Sequence, residues 1–127
     1  GADGVQIGTR FIATVECDAS DGFKEKVVTA TEEDVRRIVS PVGMPARALH
    51  SPLLDKIETT RIPPIRCTNC LKTCNPRTTP YCITDALIAA VQGDTENGLF
   101  FSGQKVGRID KIVPARDIVG EFREVLL

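Results

Sequence analysis

The sequence predicts a mixed α/β chain, on two kinds of residue spacing. Val5 and Ile7 alternate with small or polar residues, with Phe11 following, which is the period of a short buried strand. Ile83, Ala86, Leu87, Ala90 and Val91 recur instead at helical spacing. They lie on a segment framed by Thr79 as N-cap, Pro80 at the first helical position and Gly93 just past the end.

Taken in order, the opening strand is entered from the turn Gly1-Ala2-Asp3-Gly4 and left through Gly8-Thr9. A glycine at the C-terminal end of a strand lets backbone come close to a ligand, and the next Thr offers a hydroxyl and an N–H suited to a phosphate oxygen. A plain buried strand with a tight exit accounts for the same residues. Residues 12–17 form a short connection, and Ser20-Asp21 starts a helix with Phe23, Val27 and Ala30 on one face. Thr31 and Glu32-Glu33-Asp34 mark a turn, and the β-branched content of Val35 to Val39 favours an extended run. Pro41, Gly43 and Pro45 break any helix there, and Arg47-Ala48-Leu49 continues as extended or looped chain. Ser51-Pro52 opens a short helix over Leu53, Leu54 and Ile57, closed by Pro63-Pro64. After the helix ending at Gly93, Asn97-Gly98 turns the chain into the apolar run Leu99-Phe100-Phe101, and Ser102-Gly103-Gln104 is a loop. A last helix begins near Pro114, with Ile118, Val119, Phe122, Val125 and Leu126 on its inner side. There is no internal repeat and no low-complexity segment.

At 127 residues the chain has the length of one ordinary domain, about 100 to 150 residues. Sixteen basic against 17 acidic side chains leave no broad field to attract nucleic acid or an anionic membrane, so neither is expected as a partner. No apolar run approaches the roughly 18 residues needed to cross a bilayer, and a cytoplasmic location is expected.

The stretch Gly1-Ala2-Asp3-Gly4-Val5-Gln6-Ile7-Gly8-Thr9-Arg10-Phe11 resembles the eighth strand of the FMN-dependent (β/α)8 barrels of the nitronate monooxygenase family, formerly 2-nitropropane dioxygenases, whose fold is shared by a flavin-type enoyl-ACP reductase. Further along, Glu16, Phe23-Lys24, Ala30, Gly43-Met44-Pro45-Ala46-Arg47, Pro80-Tyr81-Cys82-Ile83, Gly93-Asp94, Asn97-Gly98, Ser102-Gly103-Gln104 and Ile109-Asp110-Lys111-Ile112 continue the likeness in order over nearly the whole chain. A barrel of this type takes about 250 residues. The resemblance therefore implies the C-terminal fragment of a (β/α)8 TIM barrel: residues 1–30 as its last strand and helix, and 31–127 as a mainly helical extension carrying a four-cysteine loop at 67–82 and two helices. The missing N-terminal part of the barrel would hold the other phosphate-binding glycine loop and the catalytic His, so no catalytic residue is assigned here. The resemblance further implies FMN bound by Gln6, Ile7, Gly8 and Thr9, with Gln104 near substrate or flavin; a polar turn after an apolar strand explains Gln104 equally.

Cys67, Cys70, Cys74 and Cys82 are spaced C-x2-C-x3-C-x7-C, four thiols within sixteen residues. Soft thiolates in that number suit Zn or an iron–sulfur cluster, and a two-residue gap lets Cys67 and Cys70 face one ion. Arg66, Lys72 and Arg77 would offset the charge, and Cys82 is placed in the first turn of the helix, where the dipole favours anions. Four reduced, unligated thiols in a capping loop are the alternative. Cys17 stands apart as a small buried residue. His50, the sole histidine, reads as a surface loop residue, and Arg10 as the partner of an acid on a neighbouring barrel strand.

The resemblance thus implies a nitronate monooxygenase-like oxidoreductase acting on a small-molecule substrate and oxygen, with this fragment inactive alone. The alternatives are an enoyl-ACP reductase using NAD(P)H, and a non-catalytic cysteine-rich metal-binding module.

Overall fold

The computed structural model describes residues 2–126; Gly1 and the side chain of Leu126, both invoked above, lie outside the described residues. Five helices and a small sheet follow one another as α1 (Thr9–Ile12), α2 (Asp21–Thr29), β1 (Val35–Val39), β2 (Pro45–Leu49), α3 (Pro52–Thr59), α4 (Ile83–Gln92), β3 (Phe100–Phe101) and α5 (Ala115–Leu126), with single 3-10 turns at Glu32–Asp34 and Val106–Arg108.

Local chemistry accounts for several boundaries. Ser20 caps α2 by accepting from the Phe23 N–H at 3.4 Å. Thr31 and Asp34 form a reciprocal capping box, with the Thr31 N–H donating to Asp34 Oδ2 at 2.7 Å. Pro52 occupies the first turn of α3. Gly93 ends α4 at φ 85°, in the left-handed region, and a Cβ there would stand 2.7 Å from Ser20 Oγ. The end of α4 is thereby packed on the start of α2.

The sheet is antiparallel in the order β1-β2-β3, with Val35 opposite Leu49, Arg37 opposite Arg47 and Leu49 opposite Phe100. Two apolar clusters lie about it. One joins Phe23 and Val27 of α2 to Leu49, Phe100, Ala90 and Val106, so residues on both sides of position 30 share it. The other gathers Ala48, Leu53, Leu54, Tyr81, Ala86 and Leu99. Phe23 meets Phe100 edge to face, with centroids 4.9 Å apart.

Three expectations are corrected here. The opening segment is not a strand: Val5 is 56% exposed, and Phe11 lies in α1, where its N–H reaches the Gly8 carbonyl at 2.9 Å. A parallel strand needs a ladder partner, and among the described residues none runs beside 2–8; the one parallel bridge joins Thr14 to Val113. Thr79 and Pro80 do not open α4, which starts at Ile83 with Cys82 as N-cap. The Pro80 carbonyl accepts instead from the Ile62 N–H at 2.8 Å, and the Thr79 hydroxyl donates to the Tyr81 carbonyl at 2.9 Å, which holds this stretch extended. The inward face of α4 is Ala86 and Ala90, while Leu87 and Val91 are exposed, as are Val119 and Val125 of α5.

Two outcomes are expected in urea denaturation. Phe100→Ala removes a fully buried ring shared by helix and sheet and costs about 3–5 kcal/mol. The Tyr81 hydroxyl is buried without a hydrogen-bond partner among the described residues, and desolvation pushes its pKa up to about 12. Tyr81→Phe therefore leaves stability unchanged or raises it by about 1 kcal/mol; a marked loss would reveal a partner for that oxygen.

Candidate functional site: a basic cavity beside Gly8-Thr9

Gln6, Ile7, Gly8 and Thr9 come together on one wall of a cavity of about 510 Å³. Arg10, Gly103, Lys105, Val106, Arg108 and Ile109 complete it. The wall is built by the way α1 turns out of the opening segment, and the opposite side by the loop that leaves β3. These two strands of chain are tied directly: the Gly103 N–H donates to Thr9 Oγ1 at 2.9 Å. The Ser102 N–H donates to the Arg47 carbonyl at 3.1 Å, which anchors the loop to the sheet. No protein atom lies within 4 Å of where a Gly8 Cβ would stand, so the backbone there faces open space.

Three cations border the cavity. Arg10 donates twice to Glu121 of α5, at 2.7 and 2.6 Å, so its partner is a helix residue and not an acid on a barrel strand. Lys105 pairs with Glu32 at 3.0 Å. Arg108 has no carboxylate within ion-pair reach among the described residues. Lys105 and Arg108 were missed by sequence reasoning; the signal was the pair of basic residues three apart just after Ser102-Gly103-Gln104. Gln104 itself turns away, its amide donating to the Glu32 carbonyl at 3.3 Å.

The four cysteines surround a second cavity, about 250 Å³, with Arg66, Thr84 and Asp85 also on its walls. Lys72 and Arg77 are not among its lining residues. Their loop is pinned at both ends: Arg61 Nε donates to the Thr79 carbonyl at 2.9 Å, and the Ile65 N–H to Asp85 Oδ2 at 3.1 Å. The expected four-thiolate sphere is not closed. Among the described residues no three His, Cys, Asp or Glu side chains stand close enough to share a metal ion. Cys67 Sγ is engaged by Asn69 and Cys70 Sγ by Thr84 Oγ1, and Cys82 sits ahead of the first helical turn and not within it. Cys17 is half-buried. His50 pairs with Asp55 at 2.9 Å on the surface.

With this geometry in view, the chain belongs to the nitronate monooxygenase family: the family model described as "Nitronate monooxygenase" matches residues 1–124. Among individual proteins it is similar to the Mycobacterium tuberculosis protein named "Putative monooxygenase Rv1533", at 29% identity over 98% of this chain and 33% of that one. Of solved structures, FabK from Thermotoga maritima is 37% identical with a TM-score of 0.71, covering 99% of this chain and 39% of FabK. A point mutant of the same FabK is 34% identical with a TM-score of 0.63, covering 99% of this chain and 35% of the mutant. The chain thus spans between a third and two fifths of the relatives it matches. No helix among the described residues is long and apolar enough to cross a membrane.

The start of α5, which carries Glu121 towards Arg10, is tied to a carboxylate of the connection before α2. The Ala115 N–H donates to Glu16 Oε2 at 2.8 Å, and this bond, with the residue's own N–H, holds the Glu16 carboxyl below its ordinary pKa. A depressed folded value means the contribution is complete above the unfolded pKa of about 4.3 and is lost as pH falls through the lower folded one. The protection factor of the Ala115 amide, its exchange corrected for the intrinsic pH dependence, is expected to fall on acidification through that lower value, and Glu16→Gln to remove that fall.

Proposed function

We propose that this chain is the flavin-binding C-terminal part of an FMN-dependent oxidoreductase that oxidises alkyl nitronates with oxygen. One observation carries the reading: Gln6, Ile7, Gly8 and Thr9 share a cavity with Lys105 and Arg108, where open backbone at Gly8 meets positive charge. That donor set fits the phosphate of FMN, a dianion that a peptide N–H, a threonine hydroxyl and basic side chains all favour. Gln6, Ile7, Gly8 and Thr9 would hold the phosphate end, with Lys105 and Arg108 balancing its charge. When bound, FMN supplies two-electron exchange between an organic substrate and an acceptor.

In this reading residues 1–30 are the last strand and helix of the barrel and 31–127 its extension, and segment 2–8 takes up strand geometry when flanked by neighbouring barrel strands. Gln104 adjoins the cavity-lining Gly103 and turns to substrate only by leaving the Glu32 carbonyl. The catalytic base belongs to other parts of the protein, so the 127-residue chain gives no turnover by itself.

A second reading, an enoyl-ACP reductase driven by NADH or NADPH, is favoured by the 37% identity to FabK. Steady-state assays of the native-length protein separate the two. Oxygen consumption with an alkyl nitronate supports the first; turnover confined to an enoyl thioester with reduced nicotinamide replaces it with the second. The flavin site has its own test. Gly8→Val places a side chain in space no protein atom occupies, so the apoprotein keeps its melting temperature while FMN binds about tenfold or more weakly, a change of about 1.4 kcal/mol at the least. Unchanged affinity in that variant would remove the phosphate from this cavity.

A further inference from the structure

The hairpin of β1 and β2 carries Arg36, Arg37 and Arg47, none of which lines the Gly8-Thr9 cavity. We propose that Arg37 and Arg47 together form a binding site for a soluble phosphate-bearing anion. Their register singles the pair out. Arg37 stands directly opposite Arg47 in the antiparallel ladder, so the two side chains leave the same face of the sheet. Like charges set opposite one another across a ladder destabilise it unless something neutralises them. Among the described residues no carboxylate lies within ion-pair reach of either guanidinium. An external anion supplies the missing counter-charge.

A cavity is the second observation. Arg37 and Arg47 border a hollow of about 440 Å³, with Ile38, Val39, Pro45 and Ala46 completing its walls. Alternation along the strands puts Arg37 on the face of Val35 and Arg47 on the face of Leu49. That face is covered at one end by Phe23 and Val27 of α2, whereas Arg37, Val39, Pro45 and Arg47 are exposed to solvent. Arg36 leaves the opposite face, where it borders an adjoining cavity with Asp55 and Glu58, which Arg37 also touches. Asp55 is engaged there by His50 at 2.9 Å.

The backbones that carry the two arginines are held while their heads remain mobile. The Gly43 N–H donates to the Ser40 carbonyl at 2.8 Å and closes the hairpin turn, and the Ser102 N–H donates to the Arg47 carbonyl at 3.1 Å. Side chains directly opposite across a ladder have Cβ atoms about 5 Å apart, close enough for two guanidinium heads to converge on one ion. Each guanidinium is a planar fork that matches a pair of oxygens. Two forks suit a phosphate, with its several oxygens and double charge, better than a carboxylate, which one fork already fills.

The test titrates inorganic phosphate and pyrophosphate into the native-length protein by calorimetry at fixed ionic strength, with FMN added in excess so that the Gly8-Thr9 cavity is filled. A single saturable site is expected. Arg37→Gln and Arg47→Gln should each weaken it about tenfold or more, and the double variant little further, because both forks act on one ion. Arg36→Gln, on the other face of β1, should leave it unchanged. Without added anion, Arg37→Gln should raise the melting temperature at low salt by relieving the repulsion. Should the protein take up no FMN, the same titration is run on a Lys105→Gln, Arg108→Gln variant, so the two sites are judged separately. Non-saturable uptake, affinity unchanged in both Arg37→Gln and Arg47→Gln, or an equal loss in Arg36→Gln would each overturn the proposal. So would a melting temperature that falls in Arg37→Gln, the sign of a carboxylate elsewhere in the native-length protein already paired with it.

Discussion

The edge-to-face contact of Phe23 with Phe100 holds α2 on the sheet, and the position of the basic cavity depends on it. Phe100 is fully buried, pairs across the sheet with Leu49, and carries the Lys26 ammonium 5.2 Å from its ring centroid. An aromatic pair of this geometry adds about 0.5–1.5 kcal/mol beyond the burial of its surface. Its larger effect is geometric. Phe100 begins the two-residue β3, and the chain leaving it runs through Ser102 to Gly103, where it meets Thr9.

The two cavities are built on different physical terms. The basic one is framed by segments held at several points: α1, the 3-10 turn at Val106–Arg108 with its buried Val106, and the salt-bridged Arg10 and Lys105. Such a frame fixes the side of the cavity formed by Thr9, Gly103, Lys105 and Arg108 in advance. The cysteine cavity is framed by a loop whose order comes from scattered hydrogen bonds, and its thiols are unlinked.

Local chemistry made much of the fold readable in advance. Ser20, Ser51-Pro52 and Gly93 act within a few residues of themselves, so the start of α2, the start of α3 and the end of α4 follow from short stretches of sequence. The extended run at Val35–Val39 and the last helix near Pro114 follow for the same reason. The opening strand and the Thr79-Pro80 start of α4 did not, because each depends on where a distant backbone group goes. Segment 2–8 has no ladder partner among the described residues, and the Pro80 carbonyl is taken by Ile62. The apolar face of α4 was misjudged for a similar reason: spacing marks a stripe, but the neighbours choose which part of it is covered.

Residue order alone carried the family likeness, the cluster of four cysteines and the Gln6-Ile7-Gly8-Thr9 segment, because all of these are properties of nearby residues. It could not say that Gly103 donates to Thr9 across 94 positions, that Lys105 and Arg108 face that segment, or that Arg10 reaches Glu121. Those pairings were settled by packing: helices α2 and α4, joined end to end at Gly22 and Gly93, and the Phe23–Phe100 contact bring remote loops together, and a hydrogen bond of a few ångströms forms only once they have.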